Sequence, residues 1–367
     1  MVVAKTKAKR KSRAKKKTRA KRKSRAKNKK REAMLKIVSK TWDASRFKEL
    51  GRGGEAAVYR LNDDTVAKVF LKPDAREFAK NPELKKAAKI RLEEMQTKLF
   101  EFPAGLPKEF VAPTGVLVHG NGRVFGYVMP FVDGISLDKL GRSDSIITPE
   151  LAGGLLSKLH DTISVLHAKG VVYGDLNENN IIIVNSIPYL IDTDSMQFGS
   201  FQCRSFVPRF TAPEILKIEE IVKPFVDPND SGCSCDNCDK SRKKRKKEYL
   251  KNAKSESEFS YSMLAPHNEM TDWYAFLVIA MRLLTFTDPY GGVVAGMDLA
   301  ERIRERITIF DPRVTYPVIA RPLKDVSRPV VEMLFRAFYH NERFIPDREV
   351  FDTLCTESKK RKNKKEK

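Results

Sequence analysis

Cysteine is scarce in this sequence, and long apolar runs are absent. Only 5 of the 367 residues are cysteine, which in a chain of this size favours a reducing compartment over a disulfide framework. The most apolar stretch, residues 276–286, is too short to span a membrane and contains Arg282. The N-terminal residues lack the apolar core of a signal peptide. We therefore expect a cytoplasmic protein without a membrane-spanning segment.

Acidic residues are missing from the N-terminal stretch. Residues 5–31 carry 18 basic side chains and no acid, so most of the net charge of +23 belongs there and only about +5 to the remainder. The stretch repeats a basic hexamer (AKRKSR, AKKKTR, AKRKSR, AKNKKR) that has no apolar face to bury. We therefore expect residues 1–33 to form a disordered tail. A second basic tail is expected at residues 357–367.

The N-terminal tail predicts binding to polyanions. Each phosphate that a basic side chain neutralises releases condensed counterions, so nucleic acid is the expected partner and its affinity should depend on salt. Binding to DNA would associate the protein with a nucleoid or a nucleus. The alternative left open is a solubilising or targeting extension without a ligand of its own.

A glycine-rich hairpin is predicted at GRGGEAAVYRL, residues 51–61. The backbone can approach phosphates closely where it has no side chains, at Gly51, Gly53 and Gly54. Val58 is expected to cover an apolar base. The next predicted strand, residues 65–71, has Lys68 at its centre, within reach of the α- and β-phosphates of a nucleotide.

A helix is predicted over residues 81–100 from its apolar spacing and from the proline in its first turn. In a phosphoryl-transfer site such a helix supplies a glutamate that pairs with the strand lysine. Glu93 and Glu94 are both candidates for pairing with Lys68, and periodicity does not choose between them. A solvated face without this role remains an alternative for either residue.

Two strands are predicted at residues 111–119 and 123–129, followed by the segment MPFVDG. Met129 is expected to limit the depth of a pocket between the strands and the following segment. The backbone of Phe131 and Val132 is expected to read the edge of an adenine. Asp133 and Gly134 then lead the chain away from the cleft.

The stretch LHAKGVVYGDLNENN, residues 166–180, ends a long predicted helix and opens a loop. The loop presents a carboxylate, Asp175, and an amide, Asn180. A second carboxylate, Asp192, follows the next predicted strand. An acid that orients a hydroxyl, with an amide and a second acid that hold Mg²⁺, is the residue set of a phosphoryl-transfer site.

These motifs occur in an order that resembles the protein-kinase superfamily over about residues 45–355. The matching segments are GxGxxAxV, VAK, MPFVDG, LHAKG-VVYGDLNENN, ID-T-D and TAPE. Six ordered motifs with family-like spacing are more specific than any one of them. The motifs GDLN…N and DTD look most similar to those of a divergent bacterial branch of these kinases.

The resemblance implies an α+β, two-lobed fold, with a β-rich N-lobe at 45–132 and a helical C-lobe at 133–356. It implies an ATP-dependent enzyme that uses Mg²⁺ to phosphorylate a protein hydroxyl, of the Ser/Thr type. Asp175 becomes the catalytic base and Lys68 the phosphate clamp, while Asn180 and Asp192 become the Mg²⁺ ligands.

Further roles are implied by the same resemblance. The resemblance adds Ala67 to the residues named above that are expected to line the nucleotide pocket. Glu214 of TAPE would pair with a late arginine, most plausibly Arg343, and Asp272 would anchor the backbone of the catalytic loop. The segment from Asp272 onward is apolar all round, which predicts a helix in the core.

This sequence departs from the family pattern at three places. Tyr173 and Gly174 stand where His-Arg is usual, Asn177 replaces a frequent lysine, and Thr193-Asp194 replaces Phe-Gly. Because the arginine that would bind a phosphorylated activation loop is absent, activation by that route is not predicted. The departures leave open a catalytically weak pseudokinase or scaffold tethered to nucleic acid, and a kinase of small molecules.

An insert at about residues 218–268 contains GCSCDNCDK and a basic run. Cys233, Cys235 and Cys238 have a spacing that suits Zn²⁺, but a closed structural site needs four ligands. The fourth would have to come from elsewhere, from Cys203, Cys355 or His267. A reduced loop without metal is the alternative.

Overall fold

The computed structural model describes residues 35–38, 42–141, 147–221, 242–245 and 258–355. The described residues divide into two compact units. The first contains the residues up to Cys203 together with those from Phe351 onward, and the second is Arg204–Val350. The boundary expected between residues 132 and 133 therefore falls inside the first unit.

A six-stranded sheet forms the N-terminal part of the first unit, in the order β1-β5-β6-β4-β3-β2. Its strands are β1 (Leu35–Val38), β2 (Lys48–Arg52), β3 (Ala56–Arg60), β4 (Thr65–Phe70), β5 (Gly115–Val118) and β6 (Val124–Pro130). All neighbouring pairs are antiparallel except β1 with β5. Strand β1 precedes residue 45, so the sheet begins before the expected start of the N-lobe.

Helix α1 (Pro82–Lys98) packs against one face of this sheet. The Asn81 side chain accepts hydrogen bonds from the backbone of Glu83 and Leu84, both at 3.1 Å, and caps the helix. Met95 of the helix shares one apolar cluster with Val66 and Tyr127 of the sheet. Burial of this stripe stabilises the helix, since its own sequence is polar and mostly exposed.

The rest of the first unit carries the loop that the sequence analysis singled out. Its elements are β7 (Ile135–Ser136), α2 (Leu137–Gly141), α3 (Pro149–Ala168), β8 (Val171–Val172), β9 (Ile181–Val184), β10 (Ile187–Leu190) and β11 (Gln197–Phe198). Helix α3 is capped by Thr148, whose hydroxyl accepts from the backbone of Leu151 at 3.2 Å. Its apolar side is buried. The end of the helix leads the chain through β8 into the loop before β9.

The second unit is mainly helical. Its elements are β12 (Leu216–Ile221), β13 (Glu258–Met263), α4 (Glu269–Thr285), α5 (Leu299–Glu305) and α6 (Arg328–Phe338). Helix α4 begins at a capping box formed by Asn268 and Thr271. It is buried on every side from Thr271 to Met281, which confirms the core helix predicted after residue 272.

The predicted α+β class is confirmed, because the N-terminal region is rich in strands and the C-terminal region is rich in helices. This distribution is consistent with the expected kinase-like fold. Over the residues described, no helix combines the length and the apolar character needed to cross a membrane.

An ion pair between Glu214 and Arg343 spans 129 residues of the second unit. The guanidinium donates from Nε to Oε1 at 2.6 Å and from Nη2 to Oε2 at 2.7 Å. Arg343 also lies over the ring of Tyr274, 4.7 Å from its centroid. The predicted pairing of these two residues is confirmed, and its bidentate form makes it stronger than a typical surface pair.

Arg343→Ala should lower the free energy of unfolding by about 2–3 kcal/mol, since Glu214 keeps a half-buried charge without its partner. Urea unfolding of the full chain at neutral pH measures this change. Arg328→Ala is the matched control: Arg328 pairs with Glu332 one helical turn on, and the two side chains are 89% and 59% exposed. The control should change stability by less than about 0.5 kcal/mol.

The same pair predicts a dependence on pH. Burial disfavours the charged form of Glu214, but the hydrogen bonds and charge of Arg343 outweigh it and lower the carboxyl pKa below 4.5. A depressed pKa stabilises the fold above the unfolded value and loses that contribution as pH falls through the folded value. The stability difference between wild type and Arg343→Ala should therefore shrink in acid. A difference that stayed constant down to about pH 3 would contradict this.

Candidate active site

Lys68 lies at the centre of β4, and two carboxylates from one turn hold its ammonium. The turn consists of Asp192 and the short 3₁₀ segment Thr193–Ser195 that it caps. Lys68 Nζ donates to Asp192 Oδ1 and to Asp194 Oδ1, the latter at 2.6 Å. These bonds join residues 124 and 126 positions apart in the chain. The strand lysine and the predicted metal-binding acid are therefore brought together.

The two carboxylates differ in exposure. The Asp192 side chain is 42% exposed, whereas that of Asp194 is 4% exposed. Burial disfavours the charged form of Asp194, but the charge of Lys68 and hydrogen bonds from Lys68 and Tyr127 outweigh it and lower its pKa to about 2. Asp194 is thus a buried carboxylate, while Asp192 is accessible to a ligand.

Asp194 was not singled out from the sequence, where it appeared only as a departure from Phe-Gly. The signal was present, because the segment DTD has two acids two residues apart. Their different burial depends on the backbone. Asp192 has a left-handed conformation (φ 58°, ψ 40°) that starts the tight turn.

The expected pairing of Lys68 with a helix glutamate is not what the described contacts show. Glu93 of α1 instead pairs with Arg123, and both side chains are 57% exposed. The ammonium of Lys68 contacts Asp192 and Asp194. For Glu93 the alternative of a solvated face holds, because this residue lies on the solvent side of the helix. Asp194 approaches the lysine from a different segment of the chain.

Asp175 is oriented by two amides of its own loop. Asn177 Nδ2 donates to Asp175 Oδ1 at 3.1 Å, and Asn180 Nδ2 donates to Oδ2 at 3.3 Å. Both amides also donate to the backbone carbonyl of Asp175 at 2.9 Å. Burial, reinforced by the negative charge of Asp192, raises the pKa of Asp175 to about 6 despite these hydrogen bonds.

The loop is tied to the strand that precedes Asp192. The backbone N–H of Ile191 donates to the carbonyl of Asn180 at 2.9 Å, and the Tyr173 hydroxyl donates to the carbonyl of Ile191. Tyr173 is buried, and its ring meets Phe110 edge to face at 6.2 Å. The tyrosine that departs from the family pattern therefore fixes the position of Asp192 relative to the loop.

The glycine-rich turn lies between β2 and β3. A Cβ atom added at Gly51 or Gly54 would meet no protein atom within 4 Å, and one at Gly53 would meet only Ala56 O at 4.0 Å. Packing within the protein does not require glycine at these positions. The open space suits a ligand that approaches the backbone closely.

The turn is also fastened to α1. Arg91 of α1 donates to the Glu55 backbone carbonyl at 3.3 Å and pairs with its carboxylate. Glu55 adds a negative charge near Asp175, since it contributes to the raised pKa of that residue. Sequence reasoning missed this contact, because no motif connects residues 55 and 91.

Most residues expected to form the nucleotide pocket lie on one face of the sheet. Met129 belongs to the apolar cluster on the Lys68 side of the sheet, and Val58, Phe131 and Val132 pack against it. Ala67 does not join them. It is fully buried in another cluster, with Leu117, Phe125 and Val128.

Strand alternation explains the position of Ala67. Neighbouring side chains of a strand point to opposite faces, so Ala67 and Lys68 diverge. Val66, two residues before Lys68, lies on the same face as the lysine and in the cluster of Met129. In the segment VAK the alanine directly precedes the lysine, and the residue two positions before Lys68 is Val66. Counting back in steps of two along the strand would have identified Val66 as the pocket residue.

Curated proteins with similar sequences are protein kinases. YegI, a protein kinase of Escherichia coli O157:H7, is 30% identical over 196 residues, 48% of this chain and 27% of YegI. The serine/threonine-protein kinase OXI1 of Arabidopsis thaliana is 29% identical over 151 residues, 40% of this chain and 35% of OXI1. PknH of Mycobacterium tuberculosis strain H37Rv is 30% identical over 153 residues, 39% of this chain and 22% of PknH.

The chain is therefore similar to protein kinases over about half of its length or less. No protein-family model matches it. The chain spans about a third or less of the length of the curated relatives named above. The activity, substrates and partners of this chain are therefore proposed from the site.

The oxygen donors of this kinase-like site suit Mg²⁺. Among the described residues, no group of three or more His, Cys, Asp or Glu side chains could hold a metal. Magnesium in kinases needs only one or two protein oxygens, since phosphates and water complete its shell. The accessible carboxylate of Asp192 and the amide oxygen of Asn180 fit that requirement.

The zinc prediction falls on residues that the structure does not describe. Cys233, Cys235 and Cys238 lie between residues 221 and 242, outside the described ranges. Of the possible fourth ligands, Cys203 is buried, and the Cys355 thiol donates to the backbone carbonyl of Glu150 at 3.6 Å. The contact expected between Asp272 and the catalytic loop likewise stays a prediction.

Gly54→Ala should separate nucleotide binding from stability in this kinase-like chain. The new Cβ meets no protein atom, so the free energy of unfolding should change by less than about 1 kcal/mol. A bound triphosphate would meet the methyl group, and we expect its affinity to fall about tenfold, equivalent to about 1.4 kcal/mol. Titration with a fluorescent ATP analogue and thermal unfolding measure the two effects.

Gly134→Ala is the control for the stability measurement. Its Cβ would lie 2.5 Å from Ile183 O, so this variant should lose about 1–3 kcal/mol of stability. Unchanged nucleotide affinity in Gly54→Ala would show that the open turn is not a phosphate site.

Proposed function

We propose that this chain transfers the γ-phosphoryl group of Mg·ATP to a protein hydroxyl, of the serine/threonine type. The observation that supports it best is the convergence of Lys68, Asp175 and Asp192. Lys68 contacts Asp192 directly. Asp192 is close enough to Asp175 for its charge to raise the pKa of that residue. Two hydrogen-bonded links, through Asn180 and Tyr173, fix the two acids relative to each other.

Each residue has a role in the proposed reaction. The hydroxyl oxygen of the acceptor forms a bond to the γ-phosphorus, and the bond from that phosphorus to the β,γ-bridging oxygen breaks. Asp175 accepts the hydroxyl proton, and ADP leaves. Lys68 binds the α- and β-phosphates. Bound Mg²⁺, held by Asn180 and Asp192, would supply positive charge to the phosphate oxygens.

The acceptor class is inferred from the relatives. OXI1 and PknH are named serine/threonine-protein kinases, and YegI is named a protein kinase. The ion pair of Glu214 in the TAPE segment with Arg343 also favours a protein acceptor, since it belongs to the kinase lower lobe that the sequence resembles.

Asp192→Asn and Lys68→Met should each reduce phosphoryl transfer by at least about 100-fold, since each removes a charge that the transferring phosphates require. Transfer of radiolabelled γ-phosphate to the chain itself, or to a mixture of dephosphorylated proteins, measures the loss. Asp63→Asn makes the same chemical change in an exposed turn residue and should retain full activity. Transfer that survived in both site variants would remove the assignment.

A catalytically weak pseudokinase is the second candidate, and Tyr173, Gly174, Asn177 and Thr193 favour it. Asn177 in particular supplies no charge for the γ-phosphate and is used to hold Asp175. Nucleotide binding without turnover in the wild-type chain would select this candidate.

The N-terminal tail supports a further part of the proposal, the binding of nucleic acid or another polyanion. Its 18 basic side chains within residues 5–31 provide the charge, although these residues lie outside the described ranges. A cytoplasmic location, with association to a nucleoid or nucleus if the ligand is DNA, belongs to the same proposal.

Deleting residues 1–33 should weaken binding to a fluorescent single-stranded oligonucleotide by at least about 100-fold at low salt. The affinity of the full chain should fall steeply as salt rises, because bound basic side chains release counterions. Deleting residues 357–367 is the control, since it removes a shorter basic segment. Equal affinity of the full chain and the chain lacking 1–33 would end the polyanion hypothesis.

A further inference from the structure

The ammonium of Lys68 has two carboxylate partners with different surroundings. Asp192 is accessible and is the residue proposed to bind the metal. Asp194 is nearly inaccessible, with a side chain 4% exposed. A carboxylate that binds the metal can no longer hold the lysine equally well, because the two cations compete for it. A second carboxylate, Asp194, would then hold the lysine in position when nucleotide is bound.

Asp194 is held from two sides by the sheet. Lys68 Nζ donates to Asp194 Oδ1 at 2.6 Å, and the Tyr127 hydroxyl donates to the same oxygen at 2.7 Å. Lys68 on β4 and Tyr127 on β6 are directly paired cross-strand neighbours. Both donors therefore come from adjacent points of one rigid surface, and together they fix the carboxylate.

In protein kinases the strand lysine is oriented by a glutamate from the adjoining helix. Here Glu93 of helix α1 is paired with Arg123 on the surface. Asp194 meets the lysine from the segment that also carries Asp192. One short turn thus supplies both the acid that positions the lysine and the acid proposed for the metal.

We propose that Asp194, braced by Tyr127, is the positioning residue that orients Lys68 towards the nucleotide phosphates in place of a helix glutamate. This inference rests on the proposed function. It implies that Lys68 keeps a carboxylate partner when Asp192 turns to Mg²⁺. It also implies that the lysine is oriented without any shift of α1.

The test measures binding of Mg·ADP to the full-length chain at several Mg²⁺ concentrations. Asp194→Asn keeps the side-chain shape but removes the charge, so Lys68 is left to pair with Asp192 and competes with the metal. We expect at least tenfold weaker Mg·ADP binding and a higher Mg²⁺ concentration at half-maximal binding. A purely structural role would shift the unfolding temperature but not the Mg²⁺ midpoint.

Tyr127→Phe is the second variant and keeps the test usable if Asp194→Asn does not fold. It removes only the hydroxyl and keeps the buried ring. It should weaken Mg·ADP binding about twofold to fivefold and shift the Mg²⁺ midpoint in the same direction. Glu93→Gln is the control and should bind as wild type does.

Three outcomes would overturn the inference. Wild-type binding and an unchanged Mg²⁺ midpoint in both Asp194→Asn and Tyr127→Phe would refute it and leave the proposed function intact. A loss in Glu93→Gln or Glu94→Gln as large as that in Asp194→Asn would return the positioning role to the helix. Failure of the wild-type chain to bind Mg·ADP would remove the proposed function and this inference together.

Discussion

The contact of Lys68 with two acids is the interaction on which the candidate site depends. A buried ammonium is costly unless a carboxylate compensates it. Lys68 is only 11% exposed in its side chain, so the turn that carries Asp192 and Asp194 must pack against β4. Attraction from these acids outweighs burial and raises the pKa of Lys68, which therefore stays charged. One electrostatic requirement thus brings together segments more than a hundred residues apart.

The loop around Asp175 is fixed by hydrogen bonds that use backbone groups, which tolerate changes in side-chain identity. Asn177 and Asn180 both bond to the carbonyl of Asp175, and Tyr173 bonds to the carbonyl of Ile191. Two of the departures from the family pattern, Tyr173 and Asn177, take part in this network. They therefore alter the chemistry of the loop without removing what holds Asp175 in place.

Similarity to known kinases and the arrangement of the site support the same proposal. The matched segments cover about half or less of the chain. The site residues all lie in the first unit, where contacts between them are described. The second unit contributes the buried helix α4 and the pair of Glu214 with Arg343, which were both expected from the same resemblance. Agreement in two separately packed units makes coincidental motif matches a poor explanation.

The sequence alone determined the strands and helices around the site, because their apolar periodicity, caps and turn residues are local. It also singled out the candidate site residues Lys68, Asp175, Asn180 and Asp192, which stand in recognisable segments. Only the tertiary structure decided which acid meets Lys68, that Ala67 faces away from it and that a strand forms at Leu35–Val38. These outcomes depend on which surfaces meet after folding. A buried charge takes whichever opposite charge packing brings near, and no local pattern specifies that partner.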